Sequence, residues 1–206
     1  MNTDAGRSAR VMDRAQAQRD RILCAAQRCF IEHGFHAASM ANIADAAQMS
    51  VGLIYRYFEN KNSIILAIID RQLGEQRASI ADLNTDPDLR RRIIELFAKW
   101  RHGDPTVMNP VLFLEMRAEA TRDPQIAQAL AEADRIAGAD FHAWLRKAAE
   151  AQGRSPTQQD IEARAFALHC IIEGLAIRSL REPTLDAASL EATLDLLLPL
   201  LTFRDG

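Results

Sequence analysis

The sequence predicts an all-α protein, on three observations. Apolar residues return every three or four positions along nearly the whole chain; Asp-Pro and Ser-Pro pairs punctuate it as helix starts do; and no alternating run of β-branched residues occurs. Roughly nine or ten helices account for the pattern.

In chain order, the leader "MNTDAGRSARVMDRAQAQRDR" sets Arg7, Arg10, Arg14, Arg19 and Arg21 against Asp4, Asp13 and Asp20. It reads either as a solvated tail or as an arm for a DNA minor groove. Ile22, Ala26 and Phe30 then form the stripe of a first helix, which ends near His33-Gly34, glycine suiting a left-handed C-terminal turn. Ser39 is placed to cap a second helix, "MANIADAA", and after Gln48-Met49-Ser50 comes a third, "VGLIYRYF". Two short helices joined by so brief a turn have the outline of a helix-turn-helix. Asn60 caps a fourth helix that starts at Lys61 and runs to about Ile80.

Later starts are expected at Asp86-Pro87, Asp104-Pro105, Asp123-Pro124 and Ser155-Pro156. Asp or Ser accepts from the first free amides, and proline at the first helical position has no amide to leave unbonded. Gln158 has capping-box spacing from Ser155. One-sided stripes follow: Leu89, Ile93, Leu96 and Trp100, then Ile126, Leu130, Ala137, Phe141 and Trp144. "ARAFALHCIIEGLAI" is apolar almost all round, and the last helix repeats Leu190, Leu194, Leu197, Leu198 and Leu201. Two such helices, about 157–180 and 187–202, are too apolar to stay uncovered, which predicts a two-fold homodimer with a four-helix interface.

The 206 residues carry a net charge of −3, with 8 basic and 6 acidic residues up to Lys61 and 17 and 22 after it. A polyanion-facing N-terminal module on an acidic remainder fits that asymmetry. Cys24, Cys29 and Cys170 form no CxxC pair, so neither a disulfide framework nor a metal site is expected, and His33 and His36 are read as turn residues. No signal peptide, membrane span, phosphate loop or nucleophile elbow is present in the sequence, and the expectation is a cytoplasmic protein without cofactor or catalytic role.

In a helix-turn-helix the second helix enters the major groove with its N-terminal residues toward the base edges. Here Ser50, Val51 and Gly52 are small enough for close approach, which leaves Tyr55, Arg56 and Tyr57 to reach sideways. Leu53, Ile54 and Phe58 are expected to pack on Ile43, Ala44 and Phe30. Lys61 falls in the first turn of the next helix, where free amides favour a phosphate.

At these positions "RILCAAQRCFIEHGFHAASMANIADAAQMSVGLIYRYFENKNSII" resembles the DNA-binding domain of TetR/AcrR-type transcriptional regulators. The resemblance implies DNA contacts from Tyr55, Tyr57 and Lys61, with Ser39, Ser50, Val51, Gly52 and Arg56 as neighbours in the groove. It also implies a DNA-binding domain over 1–60 and a domain over 61–206 that dimerises and binds a small inducer. Gln48 departs from the usual glycine of the turn, and Asn62 from the usual glutamate.

For the inducer, Trp100, Phe113, Met116, Phe141 and Trp144 offer apolar walls, although core packing explains them equally well. His169 and Glu173, four apart, either satisfy each other at a buried interface or join Glu115 and Glu119 as candidate polar anchors of a pocket. The sequence thus points to a homodimeric, ligand-responsive regulator, a repressor, that binds a palindromic double-stranded DNA operator. The competing reading is a DNA-binding architectural or adaptor protein with no inducer.

Overall fold

The computed structural model describes residues 3–85, 88–182 and 185–203, with the backbone alone for 3–12. Among the described residues there are nine helices and no strand: α1 (Thr3–Ala37), α2 (Met40–Ala47), α3 (Val51–Tyr55), α4 (Lys61–Asp82), α5 (Leu89–His102), α6 (Pro110–Ala120), α7 (Pro124–Glu150), α8 (Gln158–Arg181) and α9 (Ala187–Thr202). The leader, read as tail or arm, is helical from Thr3.

Helix boundaries follow local chemistry, and three differ from the sequence expectation. α1 breaks at Gly34, whose φ of 77° is open to glycine and strained for other residues. Asp123 caps α7 as expected, its Oδ1 accepting from Gln125 N at 2.8 Å with Pro124 at the first helical position. Asp104-Pro105, by contrast, starts no helix. Asp104 Oδ1 accepts from the amide and hydroxyl of Thr106 at 2.8 and 2.6 Å, a local turn that the chain does not continue into a helix. α6 begins only at Pro110, with Asn109 Oδ1 accepting from Val111 N.

α8 is capped by Thr157 and not by Ser155: Thr157 Oγ1 accepts from Asp160 N and Asp160 Oδ2 from Thr157 N, each at 3.1 Å. Pro156 keeps Ser155 out of the helical region, and a carboxylate at Asp160 suits the positive helix end better than Gln158 does. α5 starts behind Asp88, which accepts from Arg91 N; Asp86 and Pro87 lie outside the described residues.

The described residues form two compact units. One gathers the chain through Arg71 with Leu114–Leu130; the other gathers Gln72–Phe113 with the chain from Ala131 onward. α4, α6 and α7 therefore run from one unit into the other, a division different from a single cut after residue 60. The first unit buries Ile22, Ala26, Phe30, Ile43, Ile54 and Phe58 together with Ile64, Ile68 and Met116. Leu53 is half-buried, so α3 is held chiefly by Ile54 and Phe58.

In the second unit α5, α8 and α9 pack on one another around Ile93, Phe97, Ile161, Leu168, Leu190 and Leu194. Arg90 ties α5 to α9 through Glu191 at 3.0 Å and Asp195 at 2.5 Å. Here the leucine face expected for the dimer needs correcting. Leu190, Leu194 and Leu198 are buried within their own chain and cannot form an outer face. The exposed apolar residues are Phe166 (72%), Ile177 and Leu180 on α8 and Leu196 (71%) and Leu200 (65%) on α9.

Asp160, Asp186 and Asp195 are held below the usual carboxylate range, by hydrogen bonds from Thr157, Ser189 and Arg90 respectively. Their contribution is complete above the unfolded value of about 3.9 and is lost as pH falls through the lower folded values. A series of thermal melts should therefore lose stability on acidification below about pH 4, with no contribution from these groups to any change between pH 6 and 8.

Candidate nucleic-acid interface and ligand cavity

α2 opens on a capping box: Ser39 Oγ accepts from Asn42 N at 3.1 Å, and Asn42 Oδ1 accepts from Ser39 N at 2.9 Å. It closes on Gln48, left-handed at φ 53°, with Gln48 N donating to Asp45 O and Met49 N to Ala44 O. The non-glycine turn is thus not altered to escape the strain. Arg21 Nη2 offsets part of it by donating to Gln48 Oε1 at 3.2 Å. Gln48→Gly should raise stability by about 0.5–1 kcal/mol in a urea titration, since it relieves a left-handed side-chain clash.

Ser50 then caps α3 by accepting from Leu53 N at 3.2 Å. One face of α3 is anchored by Ile54, which is fully buried. The other presents Val51, Gly52 and Tyr55, the last 52% exposed, and a Cβ at Gly52 would meet nothing within 4 Å. Arg56 is exposed and Tyr57 half-buried. No described residue bonds the side-chain polar groups of Tyr55, Arg56 or Tyr57, whose backbone amides stay within the helix end. The two tyrosine hydroxyls and the guanidinium stand ready for an outside partner, with the small residues of the helix start beside them.

Lys61 is different. Asn60 caps α4 as expected, accepting from Ser63 N at 2.8 Å. The Lys61 ammonium, however, donates to the carbonyls of Phe35, His36 and Ala38 at 2.5, 3.2 and 2.9 Å and lies 4.4 Å from the centre of the Phe35 ring. Those carbonyls end α1 and carry its partial negative charge. Burial lowers the Lys61 pKa, against the opposing field of Glu119. In the structure the Lys61 side chain is a clasp between α4 and the α1–α2 junction.

Glu115 and Glu119, considered as pocket anchors, serve the same junction. Glu115 Oε2 accepts from Phe35 N at 2.8 Å, and the nearly buried Glu119 meets His36 Nε2 at 3.0 Å. Asn62 Nδ2 donates to Asp123 Oδ2, a use that the family's customary glutamate could not serve, having no donor.

In the second unit a cavity of about 1070 Å³ is walled by the end of α4 and by α5, α7 and α8. Of the seven residues expected there, Phe141, His169 and Glu173 line it. His169 Nε2 and Glu173 Oε1 are 3.2 Å apart, each about two-fifths exposed in the single chain. Trp144 lies behind Phe141, stacked at 5.3 Å, and its indole donates to Leu83 O while the ring borders a separate cavity of about 560 Å³. Trp100 packs against the core, and neither it nor Phe113 lines the large cavity. Met116 is buried in the first unit. The sequence reading missed Arg92, Lys99 and His142, which do line the cavity. They look like the solvated faces of amphipathic helices until the opposite wall is known.

No cluster of His, Cys, Asp and Glu able to hold a metal occurs among the described residues, and no described helix is long and apolar enough to cross a membrane.

Residues 22–68 match the family described as "Bacterial regulatory proteins, tetR family", and residues 109–201 match "BetI-type transcriptional repressor, C-terminal". The HTH-type transcriptional regulator UidR of Escherichia coli K12 is 34% identical over 120 residues, covering 56% of this chain and 58% of UidR. The chain thus matches less than two thirds of that relative's length. TtgR of Pseudomonas putida, also an HTH-type transcriptional regulator, is 27% identical over 84% of this chain and 85% of its own. The solved structure of Salmonella enterica GusR superimposes with a TM-score of 0.68 and 27% identity, covering 91% of this chain and 96% of GusR. With a capped helix-turn-helix at residues 39–58 and an all-helical second unit, the chain belongs to the TetR family of transcriptional regulators.

Proposed function

We propose that the chain is a repressor that binds a palindromic operator as a homodimer in the cytoplasm and is released by a small-molecule inducer. The observation that carries the DNA half is the state of α3: Tyr55, Arg56 and Tyr57 have no partner among the described residues, while Ile54 and Phe58 fix the helix that presents them. Phosphate contacts set the register of such a helix, and side chains at base edges give it sequence preference. Ser39 and Ser50 flank it through their caps, and Val51 and Gly52 allow close approach. The free amides at the start of α4 remain available to a phosphate even though the Lys61 ammonium is not.

The inducer half rests on the cavity, whose size suits a small molecule and speaks against a purely architectural protein. Gln76, Ser79 and Ile80 on its wall belong to α4, the helix that begins at Lys61. A ligand acting on them acts on a helix of roughly 33 Å, given 1.5 Å per residue. Coupling of about 1–3 kcal/mol through it changes operator affinity 5- to 150-fold.

The test is a pair of substitutions measured by fluorescence anisotropy against selected and unrelated duplexes. Arg56→Ala should cost about 1–3 kcal/mol on the selected site and relax the preference at one position of each half-site. Tyr57→Phe should weaken both duplexes alike without changing the salt slope, since no cation is lost. Unchanged affinity and preference in Arg56→Ala would remove α3 as the reading helix.

A further inference from the structure

The polar groups around the large cavity are unequally engaged, and the inequality has a sign. Every lining carboxylate already has a partner: Glu95 bonds Arg91 at 2.6 Å, Glu173 meets His169 at 3.2 Å, Glu162 accepts from Gln158 Nε2 at 2.7 Å, and Asp134 is engaged as well. Two of the arginines are likewise held. Arg92 donates to Ser79 O at 3.2 Å with Asp82 at 3.9 Å, and Arg135 makes a two-pronged contact with Glu132 at 2.6 and 2.8 Å.

Two donors remain. Lys99 on α5 and His142 on α7 line the cavity and make no hydrogen bond or ion pair to any described residue. The charge of Lys99 helps to lower the Asp104 pKa, but Asp104 Oδ1 is already taken by Thr106. Between the polar residues the wall is apolar, with Ile80, Leu83, Ile93, Phe141 and Leu168 among its members. A ligand with an apolar body buries itself against that wall. If its head is anionic, it gains charge-assisted bonds from Lys99 and His142. A cationic head finds no carboxylate that is not already shared, and meets Lys99 as a like charge.

Resting on the ligand-responsive reading above, we infer that the cavity takes an amphipathic organic anion, an apolar body bearing a carboxylate, with Lys99 and His142 as its recognition pair.

The probes are octanoate, octylammonium and octan-1-ol, which share one chain and differ in head charge, titrated calorimetrically into the full-length protein. Octanoate should bind roughly tenfold or more tightly than octylammonium, with the alcohol between them. Lys99→Gln with His142→Gln should bring the three close to parity, and Lys99→Glu should turn the preference toward octylammonium. Both positions are solvent-accessible, so the variants should keep the wild-type circular dichroism and melting profile, which is checked first. Equal or tighter binding of octylammonium by the wild type, or an octanoate preference that survives the double substitution, overturns the assignment of an anion while leaving the cavity a ligand site. Failure of all three probes to bind, with the protein folded, overturns the cavity as a ligand site and the anion assignment with it.

Discussion

Leu196→Arg combined with Leu200→Arg should yield a folded monomer whose operator affinity is about a hundredfold or more below wild type. Both leucines stand on α9 with about two thirds of their surface open, one helical turn apart, and Phe166, Ile177 and Leu180 form a comparable stripe on α8. Apolar exposure on that scale marks a surface made to be covered. Two helices from each of two copies, related by a two-fold axis, cover it in a self-complementary way. A dimer places two α3 helices on successive faces of one duplex, about 34–36 Å apart or a multiple of that, and one copy alone loses the second half-site.

The choice of residues matters. Leu194 is fully buried in its own unit, so an arginine there forces an unpaired charge into the core and unfolds the chain, which says nothing about assembly. Sedimentation velocity reads the first variant directly. A dimer of undiminished stability would place the interface elsewhere.

The second large effect concerns Lys61. Lys61→Met should lower the stability of the folded chain by about 2 kcal/mol while leaving the slope of DNA affinity against salt unchanged. The ammonium holds three carbonyls of the α1–α2 junction, and its loss leaves charge-assisted bonds unmade in a half-buried place. A phosphate contact predicts the opposite pair of results: stability kept and a slope smaller by about one. Urea titration and anisotropy at several salt concentrations separate the two. A reduced slope with unchanged stability would return Lys61 to the DNA surface.

Much of the first unit was legible because its signals are local. Ser39, Ser50 and Asn60 cap helices through side chains that reach only three residues on, so the spacing in the sequence carries the geometry. Asp123-Pro124 worked for the same reason. Asp104-Pro105 makes the same contact to the amide two residues on as Asp123-Pro124 does, yet only a turn follows it, so the dipeptide alone does not reveal a helix start. The contacts of Lys61 and Glu115 were not legible because their partners lie 23 or more residues away in the chain, where spacing is silent. The cavity was the least legible part. Phe141 and Trp144 share an apolar face, yet one borders the large cavity and the other lies behind it, and an apolar stripe looks the same over a void or a filled core. The inward Leu190, Leu194 and Leu198 and the outward Leu196 and Leu200 sit on one leucine-rich helix whose composition is too uniform to show which face turns out.

Selection of bound duplexes from a random pool by the wild-type protein tests the central claim most directly. A dimer that reads DNA through two copies of α3 should enrich a two-fold symmetric site whose half-sites lie one helical turn, or a modest multiple of it, apart. Enrichment of a single asymmetric half-site, or of no sequence at all, would contradict it.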